Sequence, residues 1–202
     1  MVDPVELDAG PRINLKTVKA LCVDSNAQGL DIVGQTLRGF GMEKIKRAGS
    51  SDEAKTILTK ESIDLLLCDA LLRDGSGYDL IRWLRASKLE PNRFIPVIVV
   101  TGHTGASFVE GARDCGANFV VSKPLTPAVL MQRILWVARG GRAFVEAEGY
   151  TGPDRRYKFE GIPDSGKGRR KEDVTGALGE PAEPNMSQGQ IDTLVKPQRV
   201  AL

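Results

Sequence analysis

The sequence predicts an α/β fold: a doubly wound, five-stranded parallel sheet followed by a long, largely disordered tail. Three observations carry this. Short apolar runs alternate with segments of helical period five times between residues 18 and 139, which is the signature of βα units closing on one sheet. The run Leu65-Leu66-Leu67-Cys68 has no polar alternation and reads as a strand buried on both faces. From Arg142 onward the composition shifts to Gly, Pro and charge with almost no apolar period, so that stretch is expected to be extended or disordered by itself.

The elements follow in order. Residues 1–16 form a flexible N-terminus with Pro4 and Pro11. Residues 18–23 (V-K-A-L-C-V) form the first strand, ending at Asp24; Ser25 and Asn26 are helix starters, and Leu30, Val33, Leu37 and Phe40 recur at helical spacing before Gly39 and Gly41 close the helix. A short strand at 45–48 leads to Ser50 and Glu53, spaced as a capping box, with Ala54, Ile57 and Leu58 as the inner face of the next helix. The central strand 65–68 ends at Asp69. The loop 73–77 opens a helix carrying Leu80, Ile81, Trp83 and Leu84, Pro91 turns the chain, and 95–100 (I-P-V-I-V-V) is a fourth strand ending at Thr101. After the loop Gly102-His103-Thr104-Gly105, Phe108, Val109 and Ala112 mark a short helix stopped near Gly116; residues 119–122 are the fifth strand, ending at Lys123-Pro124, and the last helix runs from Pro127 to Gly140-Gly141.

At 202 residues with 41% hydrophobic content the chain buries one substantial core and is short for two. The expected organisation is therefore 1–16, a domain at 17–141 and a tail at 142–202. Cys22, Cys68 and Cys115 lie in apolar or small-residue stretches without metal-ligand spacing, which argues against zinc or a disulfide framework and for reduced thiols in a cytoplasmic protein. No apolar run approaches a signal peptide or a membrane span, so no membrane partner is expected. A net charge of +2 does not argue for nucleic acid.

The wound topology puts every strand's carboxyl end on one rim, where open α/β sheets bind ligands. Asp24, Asp69, Thr101 and Lys123 all fall there. An Asp at a strand end also serves as a turn former or helix cap, but four polar residues at four strand ends converge. Two carboxylates offer hard oxygens to Mg²⁺, and a Lys ammonium with a Thr hydroxyl holds phosphoryl oxygens. The set fits phosphoryl transfer to Asp69 as the nucleophile, already deprotonated at neutral pH.

With V-D-S-N at the first strand end, L-C-D-A at the third, V-V-T-G at the fourth and S-K-P-L at the fifth, residues 18–139 resemble the receiver domain of two-component response regulators, a CheY-like, flavodoxin-like fold. The resemblance implies Asp69 as phosphoacceptor, Asp24 as one member of an acidic pair, Thr101 as switch hydroxyl, Lys123 as phosphate contact, and the Leu71 carbonyl completing an Mg²⁺ shell with Asp24 and Asp69. It implies a phosphoprotein that catalyses only its own phosphorylation and dephosphorylation, with a histidine kinase or histidine phosphotransfer protein as donor and an unknown downstream protein as target. Three positions depart from the pattern: Ser25 stands where a second acid is usual, which should weaken Mg²⁺; Val120 stands where the switch aromatic is; and Arg73 replaces a proline. His103, the only histidine, is either a modulator of the site or an exposed loop residue; Trp83, Trp136 and Tyr78 read as packing.

In the tail, Phe144, Val145 and Tyr150-Thr-Gly-Pro-Asp-Arg-Arg-Tyr157 resemble a G-P-D-R-R extension of alphaproteobacterial receivers, and such a segment could fold back through Phe144 and Tyr150. The basic clusters Arg155-Arg156 and 167–171 are interrupted by acids and read as solvated linker rather than a nucleic-acid site. Residues 186–195 (M-S-Q-G-Q-I-D-T-L-V) form a short amphipathic stretch with Ile191, Leu194 and Val195 on one face and Ser187 as cap. It is similar to the short N-terminal S-Q-x-E-I-D-x-L peptide by which a flagellar switch protein binds the phosphorylated chemotaxis receiver, with Gln190 in place of the acid. It is read either as a docking peptide for a receiver face, in cis or from a neighbouring molecule, or as a disordered terminus. Three functions stay open: a stand-alone phosphorylated regulator, a phosphorylation-independent pseudo-receiver adaptor, and a nucleic-acid-binding regulator acting through the tail.

Overall fold

A computed structural model of the chain describes residues 14–138, 143–147, 149–154 and 187–195. Most of the expected N-terminal stretch, the Arg155-Arg156 pair and the 167–171 cluster lie outside the described residues. Strands β1 (Lys19–Val23), β2 (Lys44–Ala48) and β3 (Leu65–Cys68), with β6 (Val97–Thr101) and β7 (Phe119–Ser122), form one parallel sheet in the order β2-β1-β3-β6-β7. Helices α1 (Ala27–Gly39), α2 (Ser51–Lys60), α3 (Gly77–Ala86), α4 (Ala106–Asp114) and α5 (Pro127–Ala138) connect or follow them. Every residue of β3 and β6 is buried, as apolar runs without alternation require in a sheet covered on both faces.

The helix starts are set by side chains. Asn26, not Ser25, caps α1 by accepting from the Gln28 and Gly29 amides, because Ser25 is engaged elsewhere. Ser50 accepts from Glu53 N, and Glu53 reaches back to Gly49 N rather than Ser50 N, so the expected box is offset by one residue at its return arm. Gly41 (φ +87) and Gly116 (φ +94) take the left-handed turns that end α1 and α4. The Glu90–Pro91 and Lys123–Pro124 peptides are cis.

Several features depart from the sequence reading. Leu15 is buried in the core and its carbonyl accepts from Val18 N, so the domain begins before residue 17. Between β3 and α3 a two-stranded ribbon forms from β4 (Leu71–Leu72) and β5 (Gly75–Ser76), too short to leave a periodic signal. The start of the tail folds onto the domain as a hairpin of β8 (Phe144–Ala147) and β9 (Tyr150–Pro153), pairing Phe144 with Pro153 and Ala147 with Tyr150. Of the two residues expected to carry the fold-back, Phe144 reaches the domain, together with Glu146, which pairs with Arg93, whereas the Tyr150 hydroxyl bonds within the hairpin. The Phe144 ring meets Phe94 edge-on at 5.6 Å and lies 4.8 Å from the Arg85 guanidinium, while the Tyr150 hydroxyl donates to Pro153 O.

The hairpin sits directly on backbone. A Cβ on Gly116 would lie 2.9 Å from Thr151 O, and one on Gly152 would lie 2.8 Å from Gly116 Cα, so two glycines permit the approach. Arg85 is only 2% exposed and donates to Gly116 O and Arg93 O; burial pulls its pKa down to about 10. Gly116 and Arg93 precede β7 and β6, so the hairpin covers the amino-terminal end of the sheet, away from the rim where the polar residues gather. Last, α6 (Gln188–Val195) lies against β7 and α4.

Candidate functional site

Backbone bonds fix each polar residue at the carboxyl rim. Asp24 N donates to Ala48 O (3.1 Å), Asp69 N to Val23 O (2.9 Å) and Lys123 N to Thr101 O (2.8 Å), so the ladder of the sheet continues one residue past β1, β3 and β7. Rigid strands thus aim all these side chains into one cluster. Lys123 Nζ donates to Asp24 Oδ2 at 2.8 Å and also to Asp69 Oδ2. Burial pulls the lysine's pKa down, but hydrogen bonds and charge from Asp24 and Asp69 outweigh it and hold Lys123 above the ordinary lysine range. One ammonium therefore ties together the two acids that would otherwise repel.

The remaining oxygens are oriented locally. Asp24 Oδ1 accepts from Asn26 N (2.8 Å) and Asp69 Oδ1 from Leu71 N (3.2 Å). Two glycines make room. A Cβ at Gly29 would lie 2.4 Å from Asp24 Oδ2, and one at Gly77 would lie 1.9 Å from the Asp69 carbonyl oxygen. The absence of a side chain at the start of α3 is thus what lets Asp69 sit where it does. Below the carboxylates, between Cys22, Leu30, Val33, Leu67 and Val100, the cavity measures about 10 Å³, at most one water. The site does not enclose a small molecule; its chemistry is open to a group presented from outside.

Thr101 is fully buried, and its hydroxyl oxygen accepts from His103 N at 3.1 Å. His103 lays its ring against Phe108 of α4 at 5.5 Å, so it is neither a free loop residue nor in contact with the carboxylates by any described bond. Tyr78 is buried at the start of α3, as the packing reading expects, and donates to Phe108 O at 2.9 Å; burial raises its pKa. Trp83 and Trp136 pack against the core. Val120 is buried in β7.

Ser25 is the informative departure. Its hydroxyl oxygen accepts from the Arg73 amide at 2.5 Å, tying the loop after β1 to the ribbon after β3. Asp74 in the same ribbon accepts from Ser51 N and Asp52 N at the start of α2, and these bonds lower its pKa. Among the described residues no group of three or more His, Cys, Asp or Glu could hold a metal. The donor set that remains, two carboxylates from Asp24 and Asp69, still fits Mg²⁺, which takes one or two carboxylates and fills its shell with water and phosphate oxygens. Leu71 lies in β4, two residues past Asp69.

Sequence reasoning missed the roles of Gly29, Gly77, Asp74 and Arg73 N. Only the glycines left a signal, each standing in or at the start of a helix where Gly is costly. Of the docking residues, Ile191 is fully buried in the core cluster; the side chains of Leu194 and Val195 lie outside the described residues.

Comparison with known proteins agrees with the geometry. Residues 20–135 match the family model described as "Response regulator receiver domain". The chain is 31% identical over 118 residues to the chemotaxis protein CheY homolog of Campylobacter jejuni, covering 58% of this chain and 89% of that protein. It is likewise 31% identical over 120 residues to the chemotaxis protein CheY1 of Helicobacter pylori, covering 58% and 94%. Among solved structures, a CheY-like response regulator receiver domain protein from Methanospirillum hungatei superposes with a TM-score of 0.54 at 27% identity, covering 61% of this chain and 95% of that one.

Proposed function

The chain belongs to the response regulator receiver family of two-component signalling, and we propose that it is a stand-alone regulator that accepts a phosphoryl group on Asp69 and signals through protein contacts. The donor is a phosphohistidine on a histidine kinase or histidine phosphotransfer protein. The observation that carries this is the Lys123 ammonium bridging Asp24 and Asp69 at the rim of the sheet.

In the transfer, an Asp69 carboxylate oxygen forms the new P–O bond as the P–N bond to the donor imidazole breaks, and the nitrogen keeps the electron pair. Lys123 is placed to follow the phosphoryl oxygens, and Thr101, turning from His103 N, donates its hydroxyl to one of them. Asp24 and Asp69, with the Leu71 carbonyl that the family pattern adds, would hold Mg²⁺, whose charge offsets that of the phosphoryl oxygens. The shallow site suits a donor group delivered by another protein. The only reactions catalysed are the chain's own phosphorylation and its dephosphorylation, in which water takes the phosphoryl group and the Asp69 carboxylate is regenerated. With its free thiols at Cys22, Cys68 and Cys115, the protein works in the reducing cytoplasm.

A second reading, the phosphorylation-independent adaptor, has one observation in its favour: Ser25 offers a hydroxyl already engaged by Arg73 N where a third acidic ligand would stand. Beryllofluoride with Mg²⁺ separates the two. Amide resonances of Thr101 and Lys123 should shift on addition, and Asp69→Asn should abolish the shift. No perturbation at millimolar Mg²⁺ would favour the adaptor.

A further inference from the structure

Strands β4 and β5 pair Leu71 with Ser76 and Leu72 with Gly75, so Arg73 and Asp74 are the two-residue link of a tight hairpin. The first linking residue of such a turn needs no N–H for the ladder, which is why proline is favoured there. In this chain the residue is Arg73, and its amide points outward to donate to Ser25 Oγ, in the loop after β1, at 2.5 Å. Both residues are departures from the receiver pattern, which has an acid where Ser25 stands and a proline where Arg73 stands. A proline at 73 would leave Ser25 without this donor, and an alanine at 25 would leave the Arg73 amide without this acceptor. The two departures are halves of one hydrogen bond.

That bond completes a set of tethers on the ribbon. At the base, Leu71 N donates to Asp69 Oδ1 at 3.2 Å and Gly77 N to Ala70 O at 2.9 Å. At the tip, Asp74 accepts from Ser51 N at 2.9 Å and from Asp52 N at 3.1 Å, which ties the link to the start of α2. Ser25 ties it on the other side, to the loop that begins with Asp24, whose Oδ1 is itself held by Asn26 N at 2.8 Å. Asp24, Asp69 and Leu71, the three residues of the proposed Mg²⁺ shell, thus stand on segments that are bonded to one another by protein groups alone.

We propose that Ser25 and Arg73 are a positioning pair: by holding the Arg73 amide, the Ser25 hydroxyl fixes the ribbon that carries Leu71 against the loop that carries Asp24, and preorganisation recovers part of the Mg²⁺ affinity that a third carboxylate would supply. This rests on the Mg²⁺ site of the proposed function. A loose ribbon would have to be ordered as the cation binds, and that cost would come out of the affinity. Here folding has already ordered it. The hydroxyl acts on the cation through the ribbon and is not a ligand.

The test titrates Mg²⁺ into the full chain, reading affinity from amide shifts at Asp69 and Leu71, and follows hydrogen exchange of the ribbon amides without metal. Ser25→Ala and Arg73→Pro should each weaken Mg²⁺ about tenfold. The double variant should lose no more than either single one, because both remove the same bond. No residue other than glycine has a positive φ in the described chain, so the turn admits the proline. Arg73→Ala, which keeps the amide, and Ser25→Thr, which keeps a hydroxyl, should retain the affinity, and in metal-free protein the Arg73 amide should be protected in the wild type and exposed in Ser25→Ala. If Ser25→Ala weakens Mg²⁺ while Arg73→Pro does not, or if their losses add, Ser25 acts on the cation by itself and the pair is wrong. A loss in Arg73→Ala as large as in Arg73→Pro assigns the effect to the guanidinium and also overturns it. Wild-type affinity in both Ser25→Ala and Arg73→Pro overturns the pair while the Mg²⁺ site stands; if the wild type binds no Mg²⁺ at millimolar concentration, both fall.

Discussion

Gly77 is the position where one added methyl group tests the geometry of the site most severely. A Cβ there would lie 1.9 Å from the Asp69 carbonyl oxygen and 3.0 Å from Cys68 Sγ. The nearest atom is backbone at the end of β3, with Asp69 N bonded to Val23 O, so it has little freedom to yield. Relief requires the start of α3 or the end of β3 to shift by about 1 Å, an overpacking strain of about 1–3 kcal/mol. A shift of that size at the nucleophile costs roughly a hundredfold in rate. Gly77→Ala should therefore lose about 1–3 kcal/mol in urea unfolding, and its phosphorylation by acetyl phosphate should slow by about two orders of magnitude. Gly39→Ala is the control. Gly39 is the last residue of α1, and a Cβ there would meet nothing within 4 Å, so this change should stabilise by about 0.5–1 kcal/mol and leave the rate alone. A Gly77→Ala protein with wild-type stability and wild-type phosphorylation would refute the cradle.

Ser25→Asp restores a third carboxylate beside Asp24 and Asp69 and should tighten Mg²⁺ by at least about tenfold; an unchanged affinity in a metal titration would show that the two native acids already suffice. Phe144→Ala removes the edge contact with Phe94 and the ring beneath Arg85, and should cost about 1–3 kcal/mol. An equally stable variant would mean the hairpin is not part of the domain's cooperative unit. Burial raises Cys22 and Cys115 from the ordinary thiol value of 9.0 to about 12. Above pH 9 the unfolded chain loses these protons first, so their stabilising contribution is complete below pH 9 and is lost as the pH rises toward 12. Arg85, lowered to about 10, has the opposite sign at higher pH. Between pH 9 and 10, Cys115→Ala should flatten the fall in unfolding free energy; an identical slope would contradict the assignment.

The parallel sheet and its rim were legible because buried strands in such a sheet are continuous apolar runs, and because Asp24, Asp69, Thr101 and Lys123 each end one of them. The hairpin was half legible. Phe144 and Tyr150 stood out, but Gly116, which permits their backbone to approach, and Arg85, which anchors Phe144, look in sequence like a helix stop and a solvent-facing helix residue. A buried arginine bonded to loop carbonyls has no local signature. The same holds for Asn92, whose side chain accepts from Ile63 N and donates to Leu58 O and Glu61 O, and for Asn118, which accepts from Val97 N. Their partners are distant in the chain and only the fold brings them together. Ser25 was legible as a missing acid, whereas its bond to Arg73 N depends on a ribbon of two-residue strands that no periodicity announces.

The proposed role of Asp69 as phosphoacceptor is tested most directly by locating the phosphoryl group. The full chain is incubated with acetyl phosphate and Mg²⁺, the acyl phosphate is trapped with borohydride, and the modified peptide is sequenced by mass spectrometry. The arrangement of Lys123 across Asp24 and Asp69 predicts a single modification, on Asp69, lost in Asp69→Asn. No modification, or one that persists in Asp69→Asn, would contradict it.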